Sequence, residues 1–463
     1  MGAAASLNHE VIDAELAKPA DGSDVGDDGA AVAEVRRLRA LLKTHAAAPA
    51  PAPAPAADEP PLVRFEPRSA ATAAAFAALH AGTARLAGTS AEPLFHEAGV
   101  WIPSSREWLV TSNRLAPGTA ATHVKVSAVA ADGRPVRPLP EVSAAVAMAN
   151  GGTSDGRGGA LLLSQGLGAE SGALYRISPD LSGATKLGPP DGVLANSFND
   201  VCVHAGSGAC VVTDPCYGAE LQGFRTTWRP PRVWAVAPGP DGAPGGGAWT
   251  ALADLGTPAG DDGGDGGDGG GEGTAFAAPN GCVLSPDGTT LYVSDVWSPA
   301  WSNGAGCPPE AAAALEARRA RAAGRDAAYV AAFAVDVDGG GLRVSKRRRL
   351  FDLRDAAANA IEQQEGSGAK AAPTKSLGFP DGLKVDVHGN LYCGCADGVR
   401  VYDPSGAFLG RFAIAGGVAN LCFGGVDGTA LLALSETRAV VIDMRVAGEQ
   451  HLFSNGGGGS ASG

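Results

Sequence analysis

The chain has 463 residues, and its 67 Gly and 32 Pro are too many helix breakers for a helical bundle or coiled coil. Lys and Arg number 36 against 49 Asp and Glu, a net charge of −13, which disfavours nucleic acid and anionic lipid surfaces as partners. No uncharged apolar run is long enough to span a membrane, no secretory block opens the chain, and the eight Cys lack zinc-site spacing, so the sequence reads as a soluble cytoplasmic protein with reduced thiols.

Residues 1–60 read as a disordered Ala/Pro-rich extension, acidic from 21 to 28 and ending in a Pro-Ala repeat that forms a stiff, solvated spacer. The start, Met1-Gly2-Ala3-Ala4-Ala5-Ser6, matches the N-myristoylation pattern; one acyl chain on Gly2 would give only weak membrane association. Residues 454–463 read as a flexible Gly/Ser tail.

Between them, residues 61–453 repeat. A polar residue, an apolar run, a tight turn, a second apolar run and another small polar residue recur six times, with 14 or 15 positions between the two polar residues. The pairs are Glu97 and Ser112, Asn150 and Ser164, Asn199 and Asp214, Asn280 and Asp295, Asp381 and Cys395, Asn420 and Ser435. Turns such as Pro286-Asp287-Gly288 and Gly206-Ser207-Gly208 mark each unit as a β-hairpin whose two polar ends lie together. Strand-like stretches at 232–237, 329–336, 398–402 and 440–444 follow where third strands are needed. The predicted fold is all-β: a six-bladed β-propeller with four-stranded blades around a central metal channel. A β-sandwich would leave unexplained why a polar residue opens every repeat.

Two connections are enlarged, near 238–274 and 298–328. The first holds an acidic Gly-rich loop at 261–273, and the second an Ala-rich stretch at 308–323 that reads as an exposed helix. The basic run at 346–349 reads as a solvated strand edge.

Glu97, Asn150, Asn199, Asn280, Asp381 and Asn420 therefore open the inner strands. Any one Asn or Asp could be a turn cap, but six converging on one axis describe an oxygen site for a hard divalent cation. Ca²⁺ fits best, with Zn²⁺, Mn²⁺ or Mg²⁺ as alternatives; Glu97 and Asp381 match its charge, and the Asn oxygens add ligands without repulsion.

The strings His96-Glu97-Ala98-Gly99-Val100-Trp101, Phe198-Asn199-Asp200-Val201, Thr213-Asp214-Pro215-Cys216-Tyr217-Gly218, Pro279-Asn280-Gly281 and Phe379-Pro380-Asp381-Gly382 resemble signature segments of the gluconolactonase/regucalcin (SMP-30/gluconolactonase/LRE-like) family. Gln222-Gly223-Phe224-Arg225, Tyr392-Cys393-Gly394-Cys395 and Ala419-Asn420-Leu421-Cys422-Phe423-Gly424 are closer to its fungal-type lactonohydrolase branch. The resemblance runs in order over residues 92–445.

It implies a gluconolactonase-like hydrolase that opens a lactone to its hydroxy acid with the aid of the axial cation. Glu97, Asn280 and Asp381 match the family's direct ligands. Asn199 matches a residue facing the metal, its water or the substrate, and Asn420 a further axial ligand of some relatives. Ser197 stands where sugar-lactonase relatives carry an Arg that grips substrate. A bound divalent cation would polarise the lactone carbonyl and activate water. Asp381 is the expected general base and Asn199 its partner in catalysis, with His96 as a second base candidate or merely a packed or solvated ring. Ser197 and His96 are the expected substrate contacts. No Gly-x-Ser-x-Gly elbow supports covalent catalysis, and Cys202 and Cys210, which flank a hairpin turn, read as small core residues. The competing reading is a catalytically inactive calcium-binding propeller; a strictosidine-synthase-like reaction is disfavoured by the retained Glu97, Asn280 and Asp381.

Overall fold

The computed structural model describes residues 61–451 except 191, 194, 228, 253–275, 299–326, 339–340, 356 and 362–377. The 1–60 extension with its Gly2 acylation pattern, the 454–463 tail, the acidic loop at 261–273 and the helix expected at 308–323 lie outside the described residues.

Two strands open the described chain, β1 (Arg64–Pro67) and β2 (His80–Thr89), joined through a short helix α1 (Ala73–Leu79). The first blade then follows as β3 (Glu97–Ile102), β4 (Glu107–Thr111), β5 (Val126–Ala130) and β6 (Arg137–Pro138). After helix α2 (Pro140–Ala145), the second blade is β7 (Ala149–Ser154), β8 (Ala160–Ser164), β9 (Ala173–Ile177) and β10 (Ala184–Gly188). The third is β11 (Val201–Val203), β12 (Cys210–Asp214), β13 (Arg232–Val236) and β14 (Trp249–Ala251), with a one-turn helix α3 (Tyr217–Glu220) after β12. The fourth comprises β15 (Pro279–Leu284), β16 (Thr290–Trp297), β17 (Ala327–Asp338) and β18 (Gly341–Asp352). The fifth is β19 (Leu383–Val385), β20 (Leu391–Cys395), β21 (Gly398–Tyr402) and β22 (Phe408–Ala413), and the sixth has β23 (Asn420–Gly424), β24 (Ala430–Ser435) and β25 (Arg438–Met444).

The innermost strands touch in the cyclic order β3, β7, β11, β15, β19, β23 and back to β3. The molecule is a six-bladed antiparallel β-propeller. Its ring is closed by the amino-terminal segment: β2 pairs with β25 as the outer strand of the sixth blade, and β1 pairs with β22 as a fifth strand on the fifth blade. The last blade thus joins residues from both ends of the described chain.

Both faces of each blade are buried. In β8, Ala160 and Leu162 pack toward the first blade while Leu161 and Leu163 pack toward the third, the period of two expected of a strand. Six apolar clusters result, one for each seam between neighbouring blades. This is why the inner strands read as unbroken apolar runs: a fully buried Leu gains about 2 kcal/mol on either side of the blade. The basic run at 346–349 lies in β18, the outer strand of the fourth blade; three of its residues are exposed, while Arg347 lies over the rings of Phe276, Tyr329 and Phe333.

Candidate metal centre at the hub

Each hairpin closes as the spacing predicts, within a residue: Glu97 pairs with Thr111, Ala149 with Ser164, Pro279 with Asp295 and Asn420 with Leu434. Asn199 N–H donates to Thr213 O, and Asp381 N–H donates to Gly394 O. The six opening residues therefore occupy one end of the ring of inner strands. The closing residues do different work. Asp214 and Asp295 accept backbone N–H bonds from 196–197 and 277–278, so they fasten the chain as it enters the inner strands of their blades.

The openers are held by the neighbouring blades. A hydroxyl near the end of a second strand donates to the carbonyl of the next blade's opener in three places: Thr111 to Asn150 (3.1 Å), Thr213 to Asn280 (2.7 Å) and Ser294 to Asp381 (3.2 Å). Elsewhere Gly151 N–H donates to Asn199 O (2.9 Å). The Gly that follows Asn150, Asn280 and Asp381 is needed for this approach. A Cβ at Gly151 would lie 2.2 Å from Asn199 O, one at Gly281 2.4 Å from Asp381 O, and one at Gly382 2.3 Å from Asn420 Oδ1.

The side chains form a linked set. Asn420 Nδ2 donates to Glu97 Oε2 (2.6 Å), joining the sixth blade to the first, and Asn199 Nδ2 donates to Asn150 Oδ1 (3.1 Å), joining the third to the second. Asn280 Nδ2 donates to the Tyr217 hydroxyl (3.3 Å). Two buried oxygens are left over, Asn199 Oδ1 and Asp381 Oδ1, with no hydrogen-bond partner. Asn420 Oδ1 is engaged by Leu421 N–H, so as placed this amide offers the hub a donor; turned over, it would offer an oxygen.

Electrostatics point the same way. Burial and the neighbouring Asp381 push the Glu97 carboxyl up to about 8, against relief from His96 and Asn420. Burial raises Asp381 to about 6, with His96 and Asn280 pulling it down. Asp381 of blade five thus adds to the penalty that burial places on the Glu97 charge of blade one, which is the situation a divalent cation relieves. Among the described residues no group of three His, Cys, Asp or Glu side chains could hold a metal. The donor set is instead two carboxylates with carboxamide oxygens, and the partnerless Asn199 Oδ1 and Asp381 Oδ1 fit a hard cation of the Ca²⁺ kind.

His96 lies at the rim, its Nδ1 2.7 Å from Glu436 Oε1, and Glu436 also accepts from Asn113 Nδ2. Burial would depress the ring, but Glu436, Glu97 and Asp381 outweigh it and raise His96 to about 9. Ser197 Oγ accepts the Gly218 N–H (2.9 Å), which anchors α3. All seven described cysteines are buried; Cys202 and Cys210 sit one residue out of register across the β11–β12 pair.

Several groups near the hub stand outside the repeat positions. Tyr217 is delivered by the turn of helix after β12, where its hydroxyl is shared among Asn280 Nδ2, Ala278 O and Val296 O. Asp200 accepts the Cys282 N–H and so ties blade three to blade four. Lys384 is buried on β19, its ammonium bonded to Leu383 O, and the field of Asp200, Cys422 and Glu449 raises it despite burial. At the far end of the inner strands the chain crosses the ring: Gly448 bridges to Asp386, and Glu449 N–H donates to Val385 O.

A family model described as the SMP-30/Gluconolactonase/LRE-like region matches residues 325–437. That span contains Asp381 and Asn420 and stops short of Glu97, Asn199 and Asn280. Among solved structures, a gluconolactonase of Xanthomonas campestris is 23% identical, with 85% of this chain and 99% of that chain covered and a TM-score of 0.53. A structural-genomics target described as a gluconolactonase by family assignment is 22% identical, over 83% of this chain and 99% of that one, also with a TM-score of 0.53. The chain is similar to gluconolactonase propellers. At these identities the structural likeness is one of fold. No curated protein matches the chain.

Proposed function

We propose that the chain is a metal-dependent lactonase that opens a lactone ring to the corresponding hydroxy acid. The observation that carries this reading is the pairing of Glu97 and Asp381, two buried carboxyls drawn from blades one and five, beside the unpartnered oxygens Asn199 Oδ1 and Asp381 Oδ1. In this reading Glu97, Asn199, Asn280 and Asp381 would hold one divalent cation, Ca²⁺ by preference, and Asn420 keeps Glu97 oriented through its 2.6 Å bond. The cation, when bound, supplies carbonyl polarisation and acidifies water.

The chain's own groups do the rest. Asp381 Oδ1, free of other partners, is placed to accept a proton from an attacking water. Tyr217 accepts from the Asn280 amide nitrogen and so fixes the direction of that side chain. Glu436 holds His96 in its protonated form and sets its direction at the rim, where the imidazolium can donate to a substrate oxygen. The family-model match and the propeller likeness support the reaction class, and the fungal-type segments noted in the sequence belong to the same reading.

The test follows acid release from glucono-δ-lactone and from simple γ-lactones, with Ca²⁺, Mn²⁺ or Zn²⁺ added and with chelator. Hydrolysis that requires the ion and is lost in Asp381→Ala is expected. Activity that persists in chelator, or in Asp381→Ala, refutes the mechanism. Calcium binding without turnover on any lactone would leave a calcium-binding propeller module in its place.

A further inference from the structure

Arg225 is 2% exposed, and half its guanidinium is unused. Nη2 donates to Ala195 O (3.2 Å) and Thr227 Oγ1 (2.9 Å), whereas Nε and Nη1 have no hydrogen-bond partner among the described residues. The contrast is Arg400, equally buried on β21, whose Nε, Nη1 and Nη2 are bonded to Asp397 and Asn359 O. Asp214 and Glu170 act on Arg225 only through space, and the Asp214 oxygens are taken by the backbone of 196–197 and by Trp234 Nε1. Burial also pushes the Asp214 carboxyl up to about 7, so it does not fully cancel the cation beside it. Charged donors left unmade in a dry site carry the full penalty of their lost hydration, which a purely structural arginine would not retain.

Two further buried groups nearby lack partners, Gln165 Oε1 and Asn196 Nδ2. Arg225 lies at the seam between blades two and three, against the chain neighbours of both residues, and the other end of the Asn196 amide is fixed, its Oδ1 accepting from Arg229 N–H (2.7 Å). A Cβ on Gly166 would lie 2.7 Å from Arg225 Nη1, and Ala195, which precedes Asn196, accepts from Arg225 Nη2. The wall is backed by main-chain bonds that join the two loops: Gly168 N–H to Phe224 O, Thr226 N–H to Gly168 O and Arg225 N–H to Gly218 O. Gly218 is part of the arrangement, since a Cβ there would lie 2.2 Å from Arg225 Cγ. Gln165 follows directly on β8, and Asn196 precedes Asn199 by three residues, so these residues lie at the same end of the propeller as the Asn150–Asn199 pair.

We propose that Arg225, with Gln165 and Asn196, is the specificity pocket for a carboxylate carried by the substrate, so that the preferred lactone is an acidic one rather than a neutral sugar lactone. Guanidinium and carboxamide N–H groups would meet the carboxylate, and Gln165 Oε1 would accept from a neighbouring hydroxyl. A phosphate would bring nearly two charges to a single cation already flanked by Asp214 and Glu170; a carboxylate brings one. The inference rests on the lactonase reading for its substrate.

The test compares glucaro-1,4-lactone, which carries a free carboxylate, with neutral galactono-1,4-lactone on the calcium-loaded full chain, and in parallel titrates glucarate by calorimetry. The native protein should favour the acidic lactone by about 10-fold in kcat/KM, and Arg225→Gln should abolish the preference through KM with kcat within about 2-fold. Arg225→Lys should restore part of it. Gly218→Ala, which displaces the side chain but keeps its charge, should show the same KM defect. An unchanged preference in Arg225→Gln, or none in the native protein, overturns the proposal while leaving the lactonase intact. If neither lactone is hydrolysed but glucarate binds and Arg225→Gln weakens it, the pocket stands and the lactonase reading falls. If glucarate binding does not depend on Arg225, the pocket falls too.

Discussion

Asn420 Nδ2 donates to Glu97 Oε2 at 2.6 Å, across the seam where the sixth blade meets the first. The bond spans 323 positions of sequence and closes the ring of openers in the same place that β23 and β3 close the ring of strands. It also sets the direction of one of the two hub carboxylates. Replacing Asn420 with Leu removes the donor, and cation affinity should fall about 10- to 100-fold, the range for losing a partner that orients a ligand. Calcium titration by calorimetry reads this directly. Asn420→Asp should act in the opposite sense, lowering the melting temperature in chelator because a third acid joins Glu97 and Asp381, and enlarging the stabilisation by calcium.

Cation affinity should climb with pH. Without a cation the folded protein holds Glu97 up to about 8 and Asp381 up to about 6, both above their ordinary values, so a cation must displace protons to bind. Raised folded values also mean that stability is greatest below the unfolded pKa and is lost as pH rises through the folded one. In chelator, the melting temperature should therefore decline from pH 5 to pH 8, and added calcium should recover progressively more of it. A gap between the two curves that stays constant over this range would show that the hub acids do not titrate against the ion.

The glycines after the openers should be intolerant. Gly151→Ala would drive a methyl to 2.2 Å from Asn199 O, and Gly281→Ala to 2.4 Å from Asp381 O, both backbone atoms of the next blade. Each should cost about 1–3 kcal/mol by urea unfolding, and more in calcium affinity than in stability, because the clash spreads the openers. Gly183→Ala is the control, with nothing within 4 Å of the added carbon and an ordinary backbone angle, and it should be near neutral.

The repeat was legible because hub and hairpin share a spacing: a polar opener, a turn and a polar closer 14 or 15 residues on are local facts, and six of them imply an axis. What closes the ring was not legible. β1 and β2 carry mostly exposed or half-buried side chains, and their partners β22 and β25 lie more than 300 positions away, so neither alternation nor turn chemistry announces them. The same holds at the site. Glu97, Asn199, Asn280 and Asp381 stand at repeat positions, whereas Tyr217 and Arg225, visible only inside the family-like strings, and Glu436 take their places through connections and strand ends whose paths depend on tertiary packing. Asp214 was visible as a closer, but its task of fastening residues 196–197 appears only when the loop is seen to fold back on it.

The amino-terminal closure should be acid-sensitive through one residue. His80, the first residue of β2, stacks on Phe65 at 4.4 Å and meets Phe76 and Phe412 edge-on, and neither ring nitrogen has a hydrogen-bond partner. Burial, with a smaller contribution from Arg445, lowers its pKa from 6.5 to about 4. Above pH 6.5 the ring is neutral in both states and costs nothing. Between 6.5 and 4 the unfolded chain takes up a proton that the folded protein refuses, so stability falls as the pH falls, by at most roughly 3 kcal/mol. Carboxylates titrate over the lower part of this window, so the informative quantity is a difference between proteins. Urea midpoints at pH 7 and pH 4.5 should fall further in the native protein than in His80→Phe, whose apolar ring suits the Phe65, Phe76 and Phe412 cluster at any pH. Equal losses in the two proteins would place the acid sensitivity elsewhere, and a native chain lacking β2 altogether should show none of the His80-dependent part while losing the sixth blade's outer strand.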